Sequence, residues 1–349
     1  MSAIGKLFEI EQLPLEKRKQ LYEKFLQKYT TKKKKNPLKE IRAEVWNKTK
    51  DKEILARLAM LTSKISISER LKEGHTEIDV YYEIGKLIEN KNFLNGIGTK
   101  GKPIENSVIN EIKKAVSSFT SNWKGQQRSH TGGARTKAWL ETIAEFVEKN
   151  NCDLLSWLES FNCPTQVVSA LKKITFSSRD SAKFLALIAH PKLNEPEVPV
   201  CISKWYPKHA KCFPPRINDE VTKFFLRTGC VTIKSTEEYH DMPEKGFDTK
   251  ETEFVGVSYP IFYGNIFDEF KNVSDPSLMA ERVISFCSNS LDGICTDESP
   301  KCENCAINDL CTLSKVRGKN PKIIQATDSK TDFWLGRSDP KTSTGCQVK

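Results

Sequence analysis

The chain has 349 residues, with 55 Lys and Arg against 45 Asp and Glu, a net charge of +10 and 38% hydrophobic residues. That length buries a substantial core and predicts two domains, while no apolar run approaches a membrane span. No apolar segment follows a basic start as in a secretory leader, so an intracellular monomer off the membrane is expected. In a reducing compartment its 11 cysteines should be thiols or metal ligands rather than disulfides.

Residues 1–50 hold 14 Lys and Arg against 6 Glu, a net of +8. A basic arm of this kind fits a polyanion such as nucleic acid, or a merely solvated terminus. Lys32 to Lys35 also read as a nuclear import signal. The expected location is therefore cytoplasm with nucleoid, or the nucleus of a eukaryotic cell. Ile10, Leu13, Leu21, Phe25 and Leu26 make an apolar stripe that predicts a helix over 8–29. Asn36-Pro37 marks a boundary, and helices follow over 38–47 and 54–61. Leu55, Leu58, Ala59 and Leu61 look like a buried face.

Gly74 and residues 95–103 read as loops, and 105–118 as helix. The polar stretch from Ser121 to Ala138 ends in a Gly-Gly turn and enters a helix over 135–149. Lys124, Arg128, Arg135 and Lys137 there are candidates for phosphate contact, or belong to an ordinary exposed loop. Further helices are expected over 153–161 and 165–173. Short strands are expected at Gly229–Ile233 and Phe254–Ile261. From Val316 onward the polar tail predicts no fixed structure.

A helix, tight turn and helix surround residue 177. Ser177-Ser-Arg-Asp180 has the form of a capping box, with Asp in the usual place of Glu. Backbone N–H groups at a helix start attract anions, which makes Ser177, Ser178 and Arg179 candidates for DNA phosphate. An ordinary helical hairpin of the core would look the same.

The most informative run is Cys295, Cys302, Cys305 and Cys311, spaced C-x6-C-x2-C-x5-C. Four thiolates within 17 residues can converge on one inorganic core, either zinc or an iron–sulfur cluster. A zinc ribbon brings two C-x2-C pairs, and only one is present. Four buried thiols without metal are the plain alternative. The spacing, with its Ile-x-Asp-Leu-Cys ending, resembles the [4Fe-4S] loop of the endonuclease III family of DNA glycosylases.

Other segments share the resemblance. Ile174 to Ala182 fills the register of that family's helix–hairpin–helix, matching at Arg179 and Ala182. Both hairpin glycines are lost, to Phe176 and Ser178, and the Schiff-base lysine position is Asp180. Thr131 to Ala138 is similar to the family's entry to a helix, and Asn150 to Leu154 to a short turn. The family places a catalytic Asp in V-D-x-x-V-x-R-x-x-x-R-x-G. Here Ile217 to Gly229 fits without a gap, with Val221, Lys223, Arg227 and Gly229 in register. Asn218 then stands at the catalytic position, beside Asp219.

The resemblance implies an all-α protein of two lobes acting on double-stranded DNA, with a [4Fe-4S] cluster. Its parts would be basic N-terminal helices and linker over 1–49, a six-helix barrel over 50–190, a cluster lobe over 191–315 and a tail over 316–349. The helix–hairpin–helix would lie near 165–188. It implies an N-glycosylase that removes a damaged, modified or mismatched base, without lyase chemistry at Asp180. Asp219 would replace Asn218 as the catalytic carboxylate; a silent DNA-binding protein is the rival, and simple helix capping would explain both residues. Asn218 lies 38 positions after Asp180, more than the family's short link allows. That insert carries His190, Cys201, His209 and Cys212, a possible second metal set or unrelated thiols and surface histidines. Trp205 and Tyr206 within it are suited to stack on a base or to fill a core.

Overall fold

The computed structural model describes residues 12–29, 37–65, 77–119, 132–174, 176–231, 239–241, 255–257, 266–288, 293–296 and 301–311. For 37, 77, 132–135, 219, 223, 226 and both strands it describes the backbone alone. Lys124 and Arg128, the Lys32–Lys35 run and the tail from Val316 lie outside the described residues. The described residues are mainly helical, and the chain divides into two compact units, Lys34–Pro214 and Met1–Lys33 with Pro215–Lys349. The first unit below is Lys34–Pro214, whose helices are named with the rest in chain order after α1 (Leu15–Lys28).

The Lys34–Pro214 unit contains α2 (Pro37–Thr49), α3 (Lys52–Ser63), α4 (Glu77–Ile88), α5 (Lys91–Ile97), α6 (Asn106–Phe119), α7 (Gly132–Lys149), α8 (Leu154–Glu159), α9 (Pro164–Lys172) and α10 (Ser178–Ala189). α3 is its hub and packs against α2, α5, α7, α8 and α10. The sequence predicts one buried face on α3, yet every residue from Glu53 to Ser63 is buried. A helix surrounded on all sides is the case in which apolar side chains run right round the axis. Asp51 starts it by accepting from the N–H groups of Glu53 and Ile54.

Two charges inside α3 tie the unit together. Arg57 and Glu53 are fully or almost fully buried, and Arg57 Nε donates to Glu53 Oε1 at 2.7 Å. The guanidinium also donates to the carbonyls of Ile97 at 3.1 Å, Lys102 at 2.6 Å and Cys152 at 2.7 Å. Glu53 in turn accepts the N–H groups of Leu154 at 2.8 Å and Leu155 at 2.9 Å, capping α8 from a distance. Each ion satisfies backbone groups that would otherwise be buried without partners. Arg57→Met is therefore expected to cost about 3–5 kcal/mol, because it strands the Glu53 carboxylate and three carbonyls. Urea unfolding of the full chain checks this through a lower midpoint.

α4 and α5 fall where the sequence carries no prediction beyond a loop at 95–103. Residues 95–97 complete α5, and the loop begins at Gly98. Residues 191–214, expected with the cluster lobe, pack in this unit instead. Trp205 and Phe213 are buried in the same apolar core as α3 and α10. The Cys201 N–H donates to Ile188 O at 2.7 Å, and Trp205 Nε1 donates to Phe161 O at 3.2 Å. Large apolar side chains, not the cysteines, decide where this insert sits.

The second unit contains α1, α11 (Asp219–Thr228) and α12 (Pro276–Cys287). It also contains a two-stranded antiparallel ribbon, β1 (Tyr239–Asp241) and β2 (Val255–Val257), with His240 opposite Gly256. β2 lies within the strand expected at Phe254–Ile261. The strand expected at Gly229–Ile233 is not one in its described part. Gly229 adopts φ +76°, a left-handed conformation that costs glycine little, and ends α11. The N–H groups of Cys230 and Val231 both close on Phe225 O, at 3.0 and 3.1 Å. Helix capping overrides the β-branched pattern there.

Aromatic rings fill this core. Phe25 meets Phe224 and Phe286, each at 5.1 Å between centroids, and Tyr22 meets Phe225 at 5.9 Å. Tyr22 Oη donates to Glu269 Oε1 at 2.8 Å, and Arg18 pairs with the same carboxylate. α1 is thus held within this unit by its apolar stripe and by Glu269. It starts at Leu15 behind Pro14, later than the periodicity suggests.

Candidate functional site

The four cysteines follow directly from α12. That helix ends at Cys287, and the chain turns back so that Gly293 N–H donates to Ser288 O and Cys295 N–H to Phe286 O, both at 2.9 Å. The turn is too tight for a side chain at 293. A β-carbon on Gly293 would lie 2.4 Å from Phe286 O and 2.9 Å from Ser288 O. Beyond it, Lys301 N–H donates to Ile294 O at 2.8 Å, and a 3₁₀ turn over Cys302–Asn304 leads to Cys305. The Cys311 N–H closes on Ile307 O at 3.0 Å. α1 pins the last turn, where Lys24 Nζ meets Asp309 Oδ1 at 2.7 Å. That ammonium holds the Asp309 carboxyl below the usual carboxylate range.

The result is one small pocket bordered by Cys295, Cys302, Cys305 and Cys311, with Phe224, Phe286, Ile294 and Ile307 among its walls. The thiols stand round the pocket instead of meeting at a point. Among the described residues, no three His, Cys, Asp or Glu side chains are gathered as ligands of a single metal ion. Burial pushes the Cys305 thiol up to about 12, and the nearby thiols of Cys295, Cys311 and Cys302 add to the rise. Without a metal the Cys305 thiol is therefore neutral, and a metal would have to displace its proton.

One buried cation lies against the site. Arg227, 1% exposed, donates to Cys295 O at 2.6 Å and approaches Cys295 Sγ at 3.5 Å. Cys311 Sγ lies 3.5 Å from Arg227 O. The donor set suits an iron–sulfur core on three counts. It supplies four soft ligands, largely apolar walls, and a fixed positive charge beside Cys295. Sequence spacing finds the four cysteines but not the contact of Arg227 with two of them. Its place in the Ile217 to Gly229 register was the available signal.

Asn218 and Asp219 stand at the start of α11. Asn218 Oδ1 accepts from Val221 N–H at 3.2 Å, which makes Asn218 the N-cap. Asp219 is the first helical residue, and its side chain lies outside the described atoms.

In the other unit, Ser177 caps α10 and the capping box closes from both sides. Ser177 Oγ accepts from Asp180 N–H at 3.1 Å, and Asp180 Oδ2 accepts from Ser177 N–H at 2.9 Å. The N–H of Ser177, one of the three candidates for phosphate, is thereby used internally. Ser178 and Arg179 are half-buried in the same first turn. The Asp180 carboxylate is buried and receives Lys64 Nζ at 3.1 Å. That ammonium sits over the rings of Trp139 at 5.0 Å and Phe176 at 5.2 Å. Phe176 is thus a core residue.

Lys137 lies on α7 and pairs with Glu141 at 3.5 Å; Arg135 is on the same helix, its side chain outside the described atoms. In the insert, His190 is fully buried, its ring 4.6 Å from that of Tyr206 and 5.5 Å from that of Phe213. It is not a surface histidine. Cys201 Sγ faces Lys52 O at 3.6 Å, and Trp205 is buried in the core. Neither is presented for a base or, among the described residues, for a second metal.

No protein family, curated protein or solved structure matches this chain.

Proposed function

We propose that the chain is a DNA N-glycosylase of the endonuclease III type, with a six-helix barrel carrying the helix–hairpin–helix and a lobe carrying a [4Fe-4S] cluster. The observation that carries this reading is the C-x6-C-x2-C-x5-C run whose four thiols border one apolar pocket. Cys295, Cys302, Cys305 and Cys311 would hold the cluster, and Arg227 would balance their charge. When bound, the cluster supplies a redox-capable core that cross-links the loop.

The substrate is duplex DNA with one base turned out of the stack, where its glycosidic bond becomes accessible. Breaking that bond builds positive charge on the sugar, as in an oxocarbenium ion. A carboxylate beside the sugar stabilises the charge and orients or deprotonates water. Asp219 takes this role; Asn218 has an amide, which does neither well, and its oxygen already caps α11. Asp180 offers no amine, so no imine with the sugar forms there. Borohydride trapping is expected to yield no adduct at residue 180. A trapped adduct mapped to a lysine elsewhere would overturn the monofunctional reading.

The direct test is a base-release screen against duplexes carrying oxidised, alkylated, deaminated and mismatched bases, with the full chain. Release from at least one is expected; binding without release from any supports a second reading. That second reading, a catalytically silent DNA-binding or damage-sensing protein on the same fold, is favoured by one observation. The residue in the catalytic register is a helix cap with an amide.

A further inference from the structure

We propose that residues 203–212, with Lys192 beside them, form a rigid basic projection that takes the phosphate backbone of duplex DNA. The inference rests on the reading of duplex DNA as substrate and concerns a stretch that the reading leaves without a role.

From Val198 to Asn218 the chain carries no Asp or Glu, but it carries Lys204, Lys208, Lys211 and Arg216. Two large side chains anchor the segment. Trp205 is fully buried and Phe213 almost so, and Trp205 Nε1 donates to Phe161 O at 3.2 Å. Between these anchors the backbone closes on itself. His209 N–H donates to Trp205 O at 2.7 Å, Ala210 N–H to Pro207 O at 3.0 Å and Cys212 N–H to His209 O at 2.9 Å. Lys208 and Lys211 stand exposed on this frame, and neither forms an ion pair among the described residues. Lys192 is exposed as well and joins the patch through Tyr206, its ammonium 5.8 Å from the ring centroid.

The other charges of the stretch are engaged. Lys204 donates to Glu159 O at the end of α8, and Arg216 donates to Glu281 at 3.0 Å. Of the two acids shortly before Val198, Glu195 faces Lys39 at 4.0 Å and Glu197 is exposed. Three ammonium groups, which donate but cannot accept, fit an anionic partner rich in acceptors. The backbone beneath Lys208 and Lys211 is already ordered, so binding has only side chains left to fix. Each phosphate contact also releases counterions condensed on the DNA. The projection sits at the C-terminal end of α10, where the Tyr206 ring lies 4.6 Å from that of His190, the C-cap. The capping box from Ser177 to Asp180 is at the other end of this helix, about 18 Å away at a rise of about 1.5 Å per residue. The three lysines therefore reach phosphates that residues 177–179 do not.

The experiment titrates the full-length protein against an undamaged, labelled duplex over a range of salt concentrations. The test variant carries Lys192→Gln, Lys208→Gln and Lys211→Gln. A control carries Lys91→Gln, Lys114→Gln and Lys149→Gln, exposed lysines of α5, α6 and α7. In the test variant the slope of log affinity against log salt is expected to become shallower by about 2–3, since each phosphate contact contributes about 0.9. The pair Lys208→Gln/Lys211→Gln, which leaves Lys192 on the Tyr206 ring, should flatten the slope by about 2 with an unchanged thermal midpoint. The control should keep the slope of the unsubstituted chain, as should Lys192→Arg, Lys208→Arg and Lys211→Arg together. An unflattened slope in the test variant and the pair, or equal flattening in the control, would overturn the inference and leave the DNA reading standing. A test variant that loses affinity for poly-glutamate but not for duplex would point to an acidic polypeptide partner and overturn it as well. An unsubstituted chain that does not bind duplex would remove the DNA reading and this inference with it.

Discussion

Asp219→Asn is expected to lower the rate of base release by about 10²–10⁴-fold, the range for a positioned acid–base group. Duplex binding by the same variant should change little. A charge that acts mainly on the developing oxocarbenium ion contributes to the transition state far more than to the ground state. Single-turnover base release and a binding titration on one duplex separate the two quantities. Asn218→Ala should have a smaller effect on rate. Its cost is the cap on α11, about 1 kcal/mol of stability through the lost bond to Val221 N–H. The contrast between neighbours is the informative result. If Asn218→Asp creates or greatly raises activity, the chain is a silenced relative. If neither Asp219→Asn nor Asn218→Asp alters an observed release, the carboxylate lies elsewhere, with Glu220 the next residue to substitute.

Cys302→Ser is expected to abolish the brown colour and visible absorption of the purified protein and to leave the unit built from α1, α11 and α12 less stable. The physical basis is linkage. A group that binds only the folded state stabilises it by about 2.7 kcal/mol at a hundredfold excess over Kd, and more for tighter binding. The loss should be concentrated near the pocket. Phe224, Phe286, Ile294 and Ile307 pack around it, so an emptied site removes the brace on one side of the aromatic core. Thermal unfolding with and without anaerobic reconstitution checks this. A Cys302→Ser protein with undiminished iron, or zinc in place of iron in the anaerobically prepared unsubstituted chain, would contradict the cluster reading.

Both predictions start from residues that are recognisable in the chain without coordinates. The cysteine run declares itself because its spacing is short and local. So does the Ser177 to Asp180 box, which closes as its letters predict. Other features were misjudged for identifiable reasons. The apolar letters near Gly229 resemble a strand, but a left-handed glycine makes them the end of a helix. His190 reads as a surface histidine, but it is buried against the rings of Tyr206 and Phe213. A titratable residue in an insert has no preferred fate until its neighbours are known.

What the sequence alone determined here is the helical character of most of the described residues, the position of several helix starts, and the four thiols that border one pocket. These depend on period, caps and short spacing, all of which act within a few residues. Tertiary structure decided the partnerships. Glu53 of α3 caps α8 across 101 positions, Lys64 meets Asp180 across 116, and Arg227 reaches Cys295 across 68. Cys295 N–H reaches Phe286 O, nine positions earlier in the chain, only because the backbone at Gly293 returns to the end of α12. Ionic and thiol groups carry no periodic signal of their own, so burial and the shape of the packed helices choose their partners.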